Sequence, residues 1–109
     1  MANKIDPDTF SIRVVQLKTN ADAFPISRGF PLSNPFSMSG DEKLRDDVCD
    51  KYEKYFQEKI DSNDLVFTTE LARAVAKAID NGYIKLGCYC APKRCHGDTI
   101  ARFLNSVLN

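Results

Sequence analysis

The hydrophobic pattern changes its period near the end of the chain. Over residues 83–90 apolar side chains alternate with polar or small ones, which is typical of a half-buried strand. From about His96 to Leu108 the apolar residues recur at steps of three and four, which predicts a helix. The resulting order of strand, short loop and helix places residues 91–97 at the carboxyl end of a strand, where open α/β folds bind their ligands.

Earlier segments complete a pattern of strand, two helices and strand. Residues 11–18 are rich in β-formers and predict the first strand. Ser39 followed by Glu42 reads as a capping box before an amphipathic helix of about twenty residues. Thr68 or Thr69 is then positioned to cap a second helix. Helical connections join parallel strands, so a parallel crossover is expected.

The stretch over residues 19–40 contains three prolines and cannot carry a long helix. Loops of this length are usually functional or disordered. Its five large apolar side chains favour an ordered loop that packs against the domain; they are Phe24, Ile26, Phe30, Leu32 and Phe36. Further short strands are expected at residues 24–26 or 65–67.

The length of 109 residues fits one domain. We therefore predict an N-terminal segment over residues 1–10 followed by a single small α/β domain over residues 11–109. Its sheet is expected to be short, mainly parallel and Rossmann-like, with about three flanking helices.

The charge balance disfavours one class of partner. Lys plus Arg equals Asp plus Glu at 15 each, so non-specific nucleic-acid binding is not expected. Neither a signal-peptide core nor a membrane-length apolar run is visible, and we expect a cytoplasmic protein. In that compartment the four cysteines are expected as thiols or metal ligands. No cofactor is predicted, and the sequence does not indicate an oligomeric state.

The predicted amino end of the last helix is a candidate anion site. Backbone N–H groups and the helix dipole favour negative charge there. Lys93 and Arg94 add positive charge, and Arg28 from the proline-rich loop could complete the site. The alternative is that Lys93 and Arg94 are solvated loop cations.

Cys95 is the candidate nucleophile, because a position at the start of a helix lowers the pKa of a thiol. His96 is its neighbour and the candidate base. Asp98 is a candidate third member, or simply an acidic residue in the first helical turn.

A zinc site is the alternative interpretation of the same segment. Cys88, Cys90, Cys95 and His96 form a possible Cys3His set. Their spacing differs from that of common zinc knuckles, and Cα atoms two residues apart on a strand are roughly 6.5 Å apart. A third interpretation treats Cys88 as a small buried hydrophobic residue.

Two blocks of the sequence resemble the family called domain of unknown function 4326. Residues 26–36 contain an arginine followed by Asn-Pro-Phe, and residues 86–98 contain Cys-Tyr-Cys, a proline and Cys-His-Gly-Asp. The chain differs from the family at Ser33, where glycine is usual, and at Tyr89, where tryptophan is common.

The resemblance implies a small α/β domain of bacteria and phages with nucleotide-related chemistry. It assigns importance to a set of motif positions: Arg28, Asn34, Pro35, Cys90, Pro92, Cys95, His96, Gly97 and Asp98. The leading hypothesis is a site for a phosphate-bearing small molecule, such as a nucleotide or nucleoside derivative, with hydrolase or transferase chemistry at Cys95 and His96. The alternatives are a binding or interaction module without turnover and a zinc-stabilised domain.

Overall fold

The computed structural model describes residues 9–109. The predicted N-terminal segment, residues 1–10, therefore lies outside this part of the chain except for its last two residues. Three strands and three α-helices make up the domain: β1 (Ser11–Gln16), β2 (Phe24–Pro25), α1 (Arg45–Asp61), α2 (Leu65–Asn81), β3 (Tyr83–Cys88) and α3 (Gly97–Leu108). Short 3-10 turns occupy Leu17–Thr19 and Glu42–Leu44.

The sheet is parallel throughout, with the order β1-β3-β2. Leu86 of β3 pairs with Val14 on one side and with Phe24 on the other, so β3 is the central strand. Parallel strands end at a common edge of the sheet. The chain segments that follow the three strands therefore all start at that edge. The predicted small α/β domain with a short parallel sheet and three helices is confirmed.

The core forms where the helices cover the sheet. Contacts join α2 to β3 and α3 to β1, while α1 packs against both α2 and α3. The largest fully buried side chains are Tyr52, Phe67, Ile26, Leu32, Leu86, Ile100, Leu104 and Cys88. Burial of each large apolar side chain contributes about 1.5–3 kcal/mol, and two of these come from the loop before α1.

The loop over residues 19–40 is ordered but only partly buried. Phe24, Ile26 and Leu32 are inside, and Phe24 begins the short strand β2, as predicted. Phe30 and Phe36 remain 41% and 37% exposed, contrary to the expected packing of all five apolar side chains. Phe36 contacts Tyr55 of α1, with the two ring centroids 6.0 Å apart, and part of the Phe36 ring stays open.

Both predicted helix caps are wrong. Ser39 has a φ of 53° and does not cap a helix; instead Asp41 accepts a hydrogen bond from the backbone of Lys43 and caps the 3-10 turn before α1. Asp64 accepts from Phe67 N and starts α2 at Leu65, so residues 65–67 are helical and not a strand. In each case the oxygen that accepts from an orphan N–H group belongs to an aspartate and not to the predicted hydroxyl residue.

No helix in residues 9–109 combines the length and the apolar character that crossing a membrane requires.

Candidate functional site

A cavity of about 300 Å³ lies beside the end of the central strand. Its walls come from the loop 27–40, the first turns of α1 and the segment 88–96. The predicted convergence of two distant stretches of chain is confirmed, since five predicted site residues line the cavity together: Arg28, Asn34, Cys90, Cys95 and His96.

Two hydrogen-bonded anchors hold the loop wall against α1. The hydroxyl of Tyr52 donates to Leu32 O at 2.7 Å in a buried position. Asn34 Nδ2 donates to Val48 O at 3.2 Å, and Asn34 Oδ1 accepts from Phe36 N at 2.9 Å. Asn34, a predicted ligand-binding residue, therefore uses Nδ2 and Oδ1 of its side chain to hold the loop 27–40 in place.

Arg45 is a cavity residue that the sequence analysis missed. Its guanidinium is bound by Glu42 and donates from Nη1 to Arg94 O at 2.9 Å. Hydrogen bonds to Glu42 and Cys90 raise the pKa of Arg45, so the guanidinium stays charged. Arg45 lies three residues before the buried Val48 and therefore on the same face of α1. This spacing is the sequence signal that could have placed Arg45 on the inward side of the helix.

Arg28 is the second cation on the cavity wall. Its side chain is exposed, and none of the carboxylates in the described part of the chain lies within ion-pair distance of it. Arg28 is therefore the cation that a ligand in the cavity can engage without displacing a carboxylate of residues 9–109.

Lys93 and Arg94 do not line the cavity, contrary to the predicted anion site. Arg94 Nη1 lies 2.9 Å from Asp46 Oδ1, and its Nη2 lies 2.9 Å from Asp50 Oδ1 and 3.2 Å from Glu53 Oε2. Lys93 Nζ is 3.4 Å from Glu42 Oε1. Arg94 turns towards the acidic face of α1, and Lys93 turns towards Glu42 in the 3-10 turn before that helix. Opposite charges attract both cations there, and they fasten the segment 88–96 to this region.

The thiols of Cys88 and Cys95 form a buried pair. Their Sγ atoms are 3.1 Å apart, and both residues line the cavity. The hydrogen bond from Cys95, together with backbone N–H groups of Cys90 and Ala91, lowers the pKa of Cys88. The same bond and burial raise the pKa of Cys95. The predicted lowering of the Cys95 pKa is therefore wrong, and the thiol that ionises first is Cys88.

His96 is buried and neutral beside the pair. Its Nε2 lies 2.7 Å from Ile26 O, and because a carbonyl only accepts, Nε2 carries the proton. Burial lowers the pKa of His96, and the ring meets the edge of Tyr52 at a centroid distance of 5.0 Å. Nδ1 is the acceptor atom of this tautomer. In the described part of the chain, the hydrogen bonds of Cys95 and His96 go to other partners and not to each other.

The amino end of α3 is occupied by the protein's own groups. Gly97 N donates to Cys95 Sγ at 3.3 Å, and Asp98 Oδ2 accepts from Cys95 N at 3.3 Å. Asp98 thus has the predicted first-turn role. The backbone N–H groups of Cys95 and Gly97, which were expected to help hold an anion, therefore already have acceptors within the protein. Gly97, Asp98 and the exposed Pro92 do not line the cavity.

The zinc set that the sequence offered as an alternative is not assembled. Within residues 9–109 no three Cys, His, Asp or Glu side chains stand close enough together to hold a metal ion. Cys90 instead faces Arg45, and Nε2 of His96 is bound by a backbone carbonyl. These contacts do not fit the Cys3His alternative.

Comparison with protein families supports the resemblance noted above. A model of domain of unknown function 4326 (DUF4326) matches residues 13–106. The chain belongs to this family. Searches of curated proteins and of solved structures returned no match.

In this DUF4326 protein both motif blocks, residues 26–36 and 86–98, contribute to one cavity. The cavity combines two arginines with a thiol pair and a neutral imidazole. Such a set can hold an anion, and it also presents a sulphur nucleophile and a proton acceptor.

Proposed function

We propose that this protein binds a phosphate-bearing small molecule, a nucleotide or nucleoside derivative, in the cavity beside the central strand. One observation carries the proposal: among the described residues that line the cavity two are arginines and none is acidic. An anion entering the cavity therefore meets positive charge without an opposing carboxylate on the wall.

Arginine suits this role because its planar guanidinium offers paired N–H donors to phosphate oxygens. Arg45 is partly neutralised by Glu42, whereas Arg28 has no such partner among residues 9–109. Hydroxyl groups from the loop wall add further donors: Ser27, Ser37 and Ser39. The anion is therefore expected nearest to Arg28.

Aromatic rings at the cavity support a planar group in the ligand. Tyr89 is 58% exposed and Phe36 is 37% exposed, and both line the cavity. Bases stack on such rings at about 1–3 kcal/mol each. The volume of about 300 Å³ is at the lower limit of small-molecule sites, so a nucleotide would leave part of itself at the rim.

Hydrolysis or group transfer is the second candidate, favoured by the thiol pair on the same wall. Cys88 would act as the nucleophile and Nδ1 of His96 as the base. The nucleophile is reassigned from Cys95 because hydrogen bonds lower the pKa of Cys88, whereas burial and the contact with Cys88 raise that of Cys95. The rival remains a module that binds without turnover.

Titration calorimetry tests the binding proposal with nucleoside monophosphates, diphosphates and triphosphates, each against its parent nucleoside. Arg28→Ala should weaken phosphate-dependent binding about 10- to 100-fold, the value of one charged hydrogen bond. Lys93→Ala is the matched control, since it removes one positive charge outside the cavity. Equal losses in both variants, or equal affinity for nucleotide and nucleoside, would contradict the proposal.

Turnover separates the enzyme from the binding module. If the protein is an enzyme, Cys88→Ser should abolish product formation while nucleotide affinity is retained. A module without turnover gives no product from any nucleotide with the wild-type protein.

A further inference from the structure

The close approach of two sulphur atoms at the inner end of the cavity points to chemistry that needs no phosphate ligand. Cys88 is the last residue of β3, and Cys95 lies two residues before α3. The segment between them folds back so that Cys95 comes to lie beside Cys88. A turn closed by Lys93 N and Cys90 O at 2.9 Å makes this return possible. The sulphur atoms meet at 3.1 Å.

We propose that Cys88 and Cys95 form a redox-active dithiol, which a low-molecular-weight disulfide entering the cavity oxidises to an intramolecular disulfide. Bond formation requires the sulphur atoms to approach by about 1 Å. Neither sulphur belongs to a metal cluster in residues 9–109. Cys49 has no sulphur partner there, although it lines the same cavity.

The directions of the two pKa shifts assign the order of the two steps. The pKa of Cys88 is lowered by hydrogen bonds, whereas the contact with Cys88 and burial raise the pKa of Cys95, so we assign the first thiolate to Cys88. This thiolate attacks one sulphur of the reagent, the new S–S bond forms as the reagent's bond breaks, and one thiolate leaves. Cys95 then attacks Cys88 Sγ, its proton passes to the second leaving thiolate, and the protein disulfide forms. Two protein thiols are oxidised and one reagent disulfide is reduced to two thiol equivalents.

The cavity offers the reagent a route to the buried pair. Cys88 and Cys95 are 2% and 3% exposed, but both line the cavity, whose wall includes the exposed Arg28 and Tyr89. Glutathione disulfide is the probe of choice, because its carboxylates complement the cavity arginines.

The experiment oxidises the folded protein with excess glutathione disulfide, blocks the remaining thiols and maps peptides after trypsin digestion without reduction. Cleavage after Lys85, Lys93 and Arg94 places Cys88 and Cys90 on one peptide and Cys95 on another. We expect these two peptides to be linked, with two free thiols left per chain, and the link to disappear on treatment with dithiothreitol.

Variants assign the link to specific sulphurs. Cys90→Ser and the control Cys49→Ser should each retain the linked peptides. Cys95→Ser should stop at the first step and retain one glutathionyl group on Cys88. Four free thiols in the wild-type protein after oxidation would overturn the proposal, as would a link that is absent from Cys90→Ser. Fragmentation of the linked wild-type peptides by tandem mass spectrometry distinguishes Cys88 from Cys90 and so decides the matter even if a variant fails to fold.

The outcome is independent of nucleotide binding. The dithiol proposal fails if the thiols stay reduced, whatever the titrations show. The binding proposal fails if Arg28 does not matter, whatever the thiols do.

Discussion

Replacing Gly97 with alanine is expected to lower the free energy of unfolding. A Cβ atom at this position would stand 2.9 Å from Ile26 Cδ1, 2.9 Å from Val14 Cγ1 and 3.2 Å from Cys95 Sγ. Ile26 is fully buried and Val14 has a stiff β-branched side chain, so neither can move without disturbing its neighbours. Overpacking of this kind costs about 1–3 kcal/mol.

Helix propensity opposes this cost only in part. Alanine is better than glycine by up to about 1 kcal/mol inside a helix, and by less at the first residue of α3. The net loss for Gly97→Ala is therefore about 1–2 kcal/mol, which lowers the Tm of a domain this size by roughly 5–15 °C.

Urea denaturation measures the effect as a shift of the midpoint at an unchanged slope. Ser106→Ala, a substitution at an exposed position of the same helix, is the control and should stay within about 0.5 kcal/mol of the wild type. A Gly97→Ala variant as stable as the wild type would show that α3 can move away from β1, and it would refute the close-packing argument.

Of three further predictions, two concern single hydrogen bonds and one concerns a titration. Tyr52→Phe leaves the Leu32 carbonyl without its buried donor and should cost about 1–3 kcal/mol in urea denaturation. Asp64→Ala should cost about 0.5–2 kcal/mol by loss of the α2 cap, while Asp64→Asn retains most of the stability, and equal losses would contradict the capping role. Burial lowers the pKa of His96 in the folded state, so the unfolded chain binds more protons as the pH falls below about 6.5. Stability should therefore decrease by up to about 1.4 kcal/mol per pH unit from pH 6.5 downwards, and His96→Asn should remove this component from the pH profile.

The elements that follow a clear hydrophobic period could be predicted from the sequence. The alternation over residues 83–90 and the helical period that follows predicted β3 and α3, although β3 ends two residues earlier, at Cys88. The parallel crossover followed from the two helices between the strands. The caps could not be predicted, because Asp64 and Thr68 are both good capping residues and only the backbone path decides which oxygen reaches the orphan N–H groups.

The site was predictable in position and not in its contacts. Arg28 was expected to complete an anion site near Cys95, and both residues line one cavity. The direction of Arg94 depends on three carboxylates of α1, a tertiary arrangement that no local pattern reports. The contact between Cys88 and Cys95 depends in the same way on the turn that joins them.

Two walls of the cavity, the segment 88–96 and the loop 27–40, differ in how firmly they are held, because the first continues from the central strand β3. The wall that carries the sulphur atoms continues from a strand hydrogen-bonded on both sides, and Arg94 ties it to α1 through several carboxylates. The opposite wall is joined to α1 mainly through Asn34 and Tyr52, so it has fewer bonds to break when it shifts. We therefore expect a ligand larger than the empty volume to displace the opposite wall, while the sulphur atoms of Cys88 and Cys95 keep their mutual spacing.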